Sequence, residues 1–170
     1  MLRLGLLAFL LLAFTGAQAA ETTATLLTVR REGAAPLRFS AAEFSALPHI
    51  DLTLVNPHDQ KEHHYSGVNV RELLARIDAP LGEKLRGPAQ QLGVLVKAKD
   101  GYAVLFALAE FDESFSSRTL ILADRVDGQP LPEGMAPLQL IAPGDKKAAR
   151  WARMVTAIEI IPTLPAAPKP

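Results

Sequence analysis

Four cations crowd into eight positions near the C-terminus: Lys146, Lys147, Arg150 and Arg153. They follow directly on a Pro143-Gly144 break that ends an apolar run, Leu138 to Ala142. A Pro-Gly break after a strand leaves backbone N–H groups unpaired, and cations close behind it complete a cradle for an anion. Gly144, Lys146, Lys147, Arg150 and Arg153 are therefore the candidate ligand-binding residues. The competing reading is a solvated basic turn, since short runs of Lys and Arg are common on surfaces.

Two other groups carry chemistry-capable side chains. His58, His63 and His64 lie close together, with His49 across an expected hairpin, which raises the possibility of a metal site. Adjacent His63 and His64 point to opposite faces of a strand and do not converge on one ion without a bulge, so they are read as surface histidines. Glu110, Asp112 and Glu113 could supply a carboxylate pair for acid–base work, but no partner residue supports it, and they are read as a solvated loop. No catalytic residue and no metal ligand is assigned. The chain has no cysteine, which excludes disulfides, thiolate ligands and cysteine nucleophiles.

The elements that must position these residues follow from periodicity. Alternation predicts strands over Ala24 to Val29, Leu37 to Phe39 and Ile50 to Leu54, and a polar strand over Lys61 to Tyr65 after an Asn56-Pro57-His58-Asp59 turn. Ser40 and Glu43 form a capping box for a short helix stopped by Pro48. Val70, Leu73, Leu74 and Ile77 recur at helical spacing behind an Asn69 cap, with Gly67 expected in the entry turn. Leu92 to Val96 and Tyr102 to Leu108 flank a Lys99-Asp100-Gly101 turn of hairpin type. Thr119 to Ala123 and Val155 to Ile161 complete a set of seven to nine short strands. The reading is an α+β domain with a mixed β-sheet core and two or three short helices.

At 170 residues with 49% hydrophobic content and a formal net charge of +0, the chain suits one packed domain and gives no sign of a nucleic-acid partner. Met1-Leu2-Arg3, the short apolar run Leu4 to Phe14 and Ala17-Gln18-Ala19 predict a signal peptide, residues 1–19, cleaved after Ala19 to release a periplasmic protein. The alternative is an uncleaved anchor. No Cys follows the apolar run and no Arg-Arg pair precedes it, which points to export in the unfolded state. The domain is expected over 20–162, with a disordered Pro-rich tail over 163–170.

Five segments occur in one order: Tyr65-Ser-Gly-Val-Asn-Val-Arg-Glu-Leu-Leu74, Asp100-Gly101-Tyr102, Asp127-Gly-Gln-Pro-Leu131, Gly134 to Pro143, and Lys147-Ala-Ala-Arg150-Trp151. Together they resemble the molybdopterin-binding domain of the sulfite oxidase family, over most of the mature chain. The resemblance implies the sulfite-oxidase-type fold and sets Lys147 and Arg150 against the phosphate end of a pterin cofactor. It also implies departures. Catalytic members hold molybdenum through a Cys that would fall near Leu54 to Asn56, and no thiolate is available here. A pocket Arg is replaced by Gln139, the loop from Pro143 to Lys147 is shorter, and such enzymes are generally exported folded. The expectation is therefore an exported domain of this fold without molybdenum redox catalysis, which binds a small anionic or pterin-like ligand or a periplasmic redox or signalling partner protein. No cofactor is expected, and molybdopterin enters by resemblance only. The alternative is a periplasmic molybdopterin-dependent oxidoreductase with cofactor attachment that does not use Cys.

Overall fold

A computed structural model describes residues 24–164. The signal-peptide reading and most of the proposed tail fall outside them. Within them the chain forms ten strands and two α-helices.

The first sheet has five strands: β1 (Leu27–Arg31), β2 (Leu37–Phe39), β5 (Leu92–Ala98), β6 (Ala103–Ala107) and β10 (Val155–Pro162). Their order is β2-β1-β10-β5-β6, with β1 and β10 parallel and the other pairs antiparallel. The second sheet runs β3 (Ile50–Val55), β4 (Glu62–Asn69), β7 (Ile121–Val126), β8 (Gln129–Pro130), and β9 (Gln139–Ile141) also pairs with β7. Alternation in the sequence sets which face of each strand is buried. Val29, Val94, Val96, Val104, Phe106, Ile158 and Ile160 fill the inner face of the first sheet, and one continuous core joins them to Leu122 and Leu140 of the second.

Helix α1 (Ala41–Ser45) starts at the expected capping box: Ser40 Oγ accepts from Glu43 N, and Glu43 accepts from Ser40 N. Helix α2 (Val70–Ala75) starts at Asn69, whose side chain accepts from Arg71 N at 3.0 Å. It ends two residues earlier than the periodicity suggests, although Ile77 is still buried.

Gly67 departs from expectation. It lies inside β4, paired with Ile50 and Ala123, and not in a helix entry turn. A Cβ there would stand 2.4 Å from Leu122 O, so the close approach of β4 to β7 beside a β-bulge requires glycine. The Lys99-Asp100-Gly101 turn forms as expected, with Gly101 at φ +89° and Asp100 Oδ1 accepting from Tyr102 N. At the far end, Thr163 is tied down by hydrogen bonds from N and Oγ1 to Gln91 O.

Candidate functional site

The basic segment leaves β9 at Ile141, turns at Pro143-Gly144, makes a single 3-10 turn over Ala148–Arg150 and enters β10 at Val155. Gly144 takes φ +85°, a conformation that suits glycine, and it packs against the stem of Arg118. Trp151 anchors the segment. Its ring is 4% exposed, its indole N–H donates to Ala142 O at 2.9 Å, and it meets Tyr65 edge-on at 5.8 Å.

The five candidate residues do not act as one group. Arg150 turns inward, its guanidinium 4.5 Å from the centroid of Phe106. Nε and a terminal N–H donate to the two oxygens of Asp145 at 2.9 and 2.6 Å, and the other terminal nitrogen reaches Glu110 at 3.1 Å. Arg118 closes the ring, donating to Asp145 at 3.0 Å and to Glu110. Two arginines and two carboxylates thus alternate in a neutral cycle that ties the loop after β6 to the basic segment. The hydrogen bonds from Arg150 to Asp145 raise the guanidinium's affinity for its proton still further.

Lys146, Lys147 and Arg153 are exposed, and no ion pair holds them among the described residues. Arg153 borders a groove of about 310 Å3 lined also by Asp100, Tyr102, Gly134, Trp151 and Met154. Tyr102 is 47% exposed, and its hydroxyl donates to Ala149 O at 2.6 Å, which fixes the ring at the groove's edge. Ala148 and Ala149 keep the opposite wall low. Met154 takes φ +51°, unusual for a residue with a Cβ, and the backbone is held there by Met154 N donating to Met135 O.

Sequence reasoning missed Arg118 and misread the acidic loop. Glu110 belongs to the charge cycle, and Asp112 is 2% exposed rather than solvated. Asp112 accepts from Gly82 N at 2.5 Å and from Ser114 N at 2.9 Å, and these bonds, the Gly82 one foremost, hold its carboxyl below the usual carboxylate range. Only Glu113 of the three is exposed. The signal available was Phe111 beside the acids, which is buried and brings the loop against the core, whereas Phe115 is exposed.

His63 and His64 do face opposite ways. His64 pairs with the Thr53 hydroxyl, while His63 is clamped between Asp127 Oδ2 at 2.6 Å and Asp59 Oδ2 at 2.9 Å. Those carboxylates, Asp127 first, raise the imidazole's pKa. With both ring nitrogens engaged, His63 has no lone pair to offer a metal, and no group of three or more candidate ligands converges among the described residues.

The chain has the mixed α+β fold of the sulfite oxidase type. The crystal structure of the sulfane dehydrogenase SoxCD from Paracoccus pantotrophus matches it with a TM-score of 0.58 at 18% identity, over 79% of this chain and 37% of that chain. This chain therefore spans well under two thirds of that protein's length, and the likeness is one of fold. No family model and no curated protein matches the sequence.

The residues present do not fit a thiolate-held molybdenum. Where the resemblance sets the ligating Cys, Val55 is an exposed hydrocarbon, and Asn56 is buried, donating to Tyr65 Oη at 2.9 Å and accepting from His58 N. Gln139, in place of the pocket Arg that the resemblance implies, is 3% exposed and its Oε1 has no donor among the described residues. Arg150, opposite the expected phosphate, already holds two carboxylates.

Proposed function

We propose that this domain is a binding module: it takes a small anion with a planar or apolar body in the groove between the Asp100–Tyr102 turn and Ala148–Met154, and carries out no molybdenum redox chemistry. The observation that supports this is the open groove itself, bordered by a cation without an ion pair among the described residues, Arg153, and by an exposed, fixed aromatic ring, Tyr102. Asp100 also lines the groove, its carboxylate engaged by Tyr102 N, and a concave site with one cation, one such carboxylate and one stacking surface suits orientation of a ligand better than it suits bond breaking. Lys146 and Lys147, exposed on the same segment just before Ala148, add positive charge without lining the groove. Arg150 serves by holding the segment in shape, not by touching the ligand. The module would work in the periplasm after cleavage behind Ala19, which N-terminal sequencing of the exported protein would check by finding Ala20 first.

Calorimetry of the purified protein with pyrophosphate and with a phosphate-bearing pterin tests the reading. Binding should weaken at least tenfold in Arg153→Ala, the factor expected for one lost charge-assisted hydrogen bond, with the melting temperature unchanged. Absence of binding to either ligand, or equal affinity in Arg153→Ala, overturns it. Stoichiometric molybdenum in protein taken from its native host would overturn the non-redox part.

A further inference from the structure

A second concave region lies away from the groove just described, where β1 and β10 end side by side. Two adjoining hollows of about 260 and 150 Å3 share Arg31, Glu32, Ile160 and Pro162, and Pro80 and Leu92 extend the apolar wall of the smaller one. Strand alternation explains why a cation is found there. Arg31 follows Leu27 and Val29 on the core-facing side of β1 and pairs in register with Ile160. It occupies the last position of that face, where the core gives way to the hollow.

Arg30 and Arg31 have different circumstances. Arg30, on the other face, donates to Glu159 at 2.8 Å, and Lys97 reaches the same oxygen at 2.9 Å. Arg31 has no ion pair among the described residues, and its Nε is shielded from solvent without an acceptor. A ligand in the open hollows cannot reach Nε, but the two terminal nitrogens are neither shielded nor hydrogen-bonded among the described residues, and together they form an edge that meets a carboxylate with two parallel hydrogen bonds. Leu92, Ile160, Pro80 and Pro162 line the smaller hollow with hydrocarbon for the rest of a ligand, while the paired Arg30 and Glu159 line the larger one. Glu32 is exposed, lines both hollows, and disfavours anions that carry more than one charge.

We propose that Arg31 anchors a second small-molecule site, selective for a monocarboxylate with a short aliphatic body. The carboxylate lies on the Arg31 fork and the chain lies over Leu92 and Ile160. This site is independent of the Arg153 groove.

The test is a titration of the full-length, 15N-labelled protein followed by amide chemical shifts, with hexanoate, hexan-1-ol and inorganic phosphate as separate probes. Hexanoate should give saturable shifts centred on Arg31, Leu92 and Ile160, with hexan-1-ol at least tenfold weaker and phosphate without effect there. Arg31→Gln should weaken hexanoate at least tenfold, the loss expected for a charge-assisted hydrogen bond. Glu32→Gln, at an exposed position with no hydrogen bond to lose, should tighten hexanoate and admit phosphate. The proposal is overturned by absence of saturable shifts at these residues, by equal binding of hexan-1-ol, by unchanged affinity in Arg31→Gln, or by a Glu32→Gln variant that binds hexanoate no better.

Discussion

Replacing Arg150 by Ala separates a structural role for the charge cycle from a ligand-binding one. The side chain makes charge-assisted bonds to two carboxylates and lies on the face of Phe106. The four members of the cycle are 12–34% exposed at the side chain, so solvent screens the pairs. Each bond is then worth about 0.5–1 kcal/mol rather than the larger value of a fully buried one. The three shorter bonds from Arg150, with about 0.5–1 kcal/mol from the cation–π contact, come to roughly 2–4 kcal/mol. For a domain of this size that corresponds to a fall in melting temperature of roughly 4–16 °C. Lys147→Ala, at an exposed position, should stay within about 0.5 kcal/mol of the parent. Thermal melts followed by circular dichroism at 0.05 and 0.5 M NaCl would read both variants, and the deficit of Arg150→Ala should shrink at the higher salt as screening removes the ionic part. If Arg150→Ala melted like Lys147→Ala at low salt, the cycle would be decoration. Arg150 would then be available to a ligand after all.

Further outcomes follow from other contacts. Trp151→Ala should cost roughly 3–5 kcal/mol, read by urea denaturation, since it empties a core position and leaves Ala142 O without its indole donor. Gly67→Ala should destabilise the protein severely or prevent its folding, because the new methyl would meet the β7 backbone, which cannot rotate away as a side chain can; soluble yield and melting temperature report it. The His63 clamp gives a pH dependence with two sides. Its folded pKa is raised above 6.5, so its contribution is complete below that value and is lost as pH rises through the folded pKa. The pKa values of Asp59 and Asp127 are lowered from 3.8, so theirs is complete above 3.8 and is lost as pH falls through their folded values. The stability difference between the parent and His63→Gln should therefore be widest between pH 3.8 and 6.5 and narrow on both sides; a difference flat from pH 3 to 9 would mean that the clamp contributes nothing.

Local pattern alone determined much of this fold. The period-2 runs at Leu37–Phe39 and Ile50–Val55, the Ser40/Glu43 box, the Asn69 cap and the Asp100-Gly101 turn all form where the residues say they should, because each is decided by interactions among neighbours in the chain. The order of the five segments from Tyr65 to Trp151 likewise suffices to indicate a fold that a structure with 18% identity shares. What tertiary structure decided is where each charge ends up. Lys146, Lys147, Arg150 and Arg153 look alike in the sequence, yet Arg150 is drawn off by Asp145 and Glu110, the latter forty positions away, and only Arg153 borders the groove. Gly67 reads as a turn until β7 is laid against it, and Asp112 reads as solvated until Gly82 N arrives from thirty positions earlier. Ion pairing, burial and close strand approach depend on what the rest of the chain brings alongside, and a linear pattern does not encode those distances.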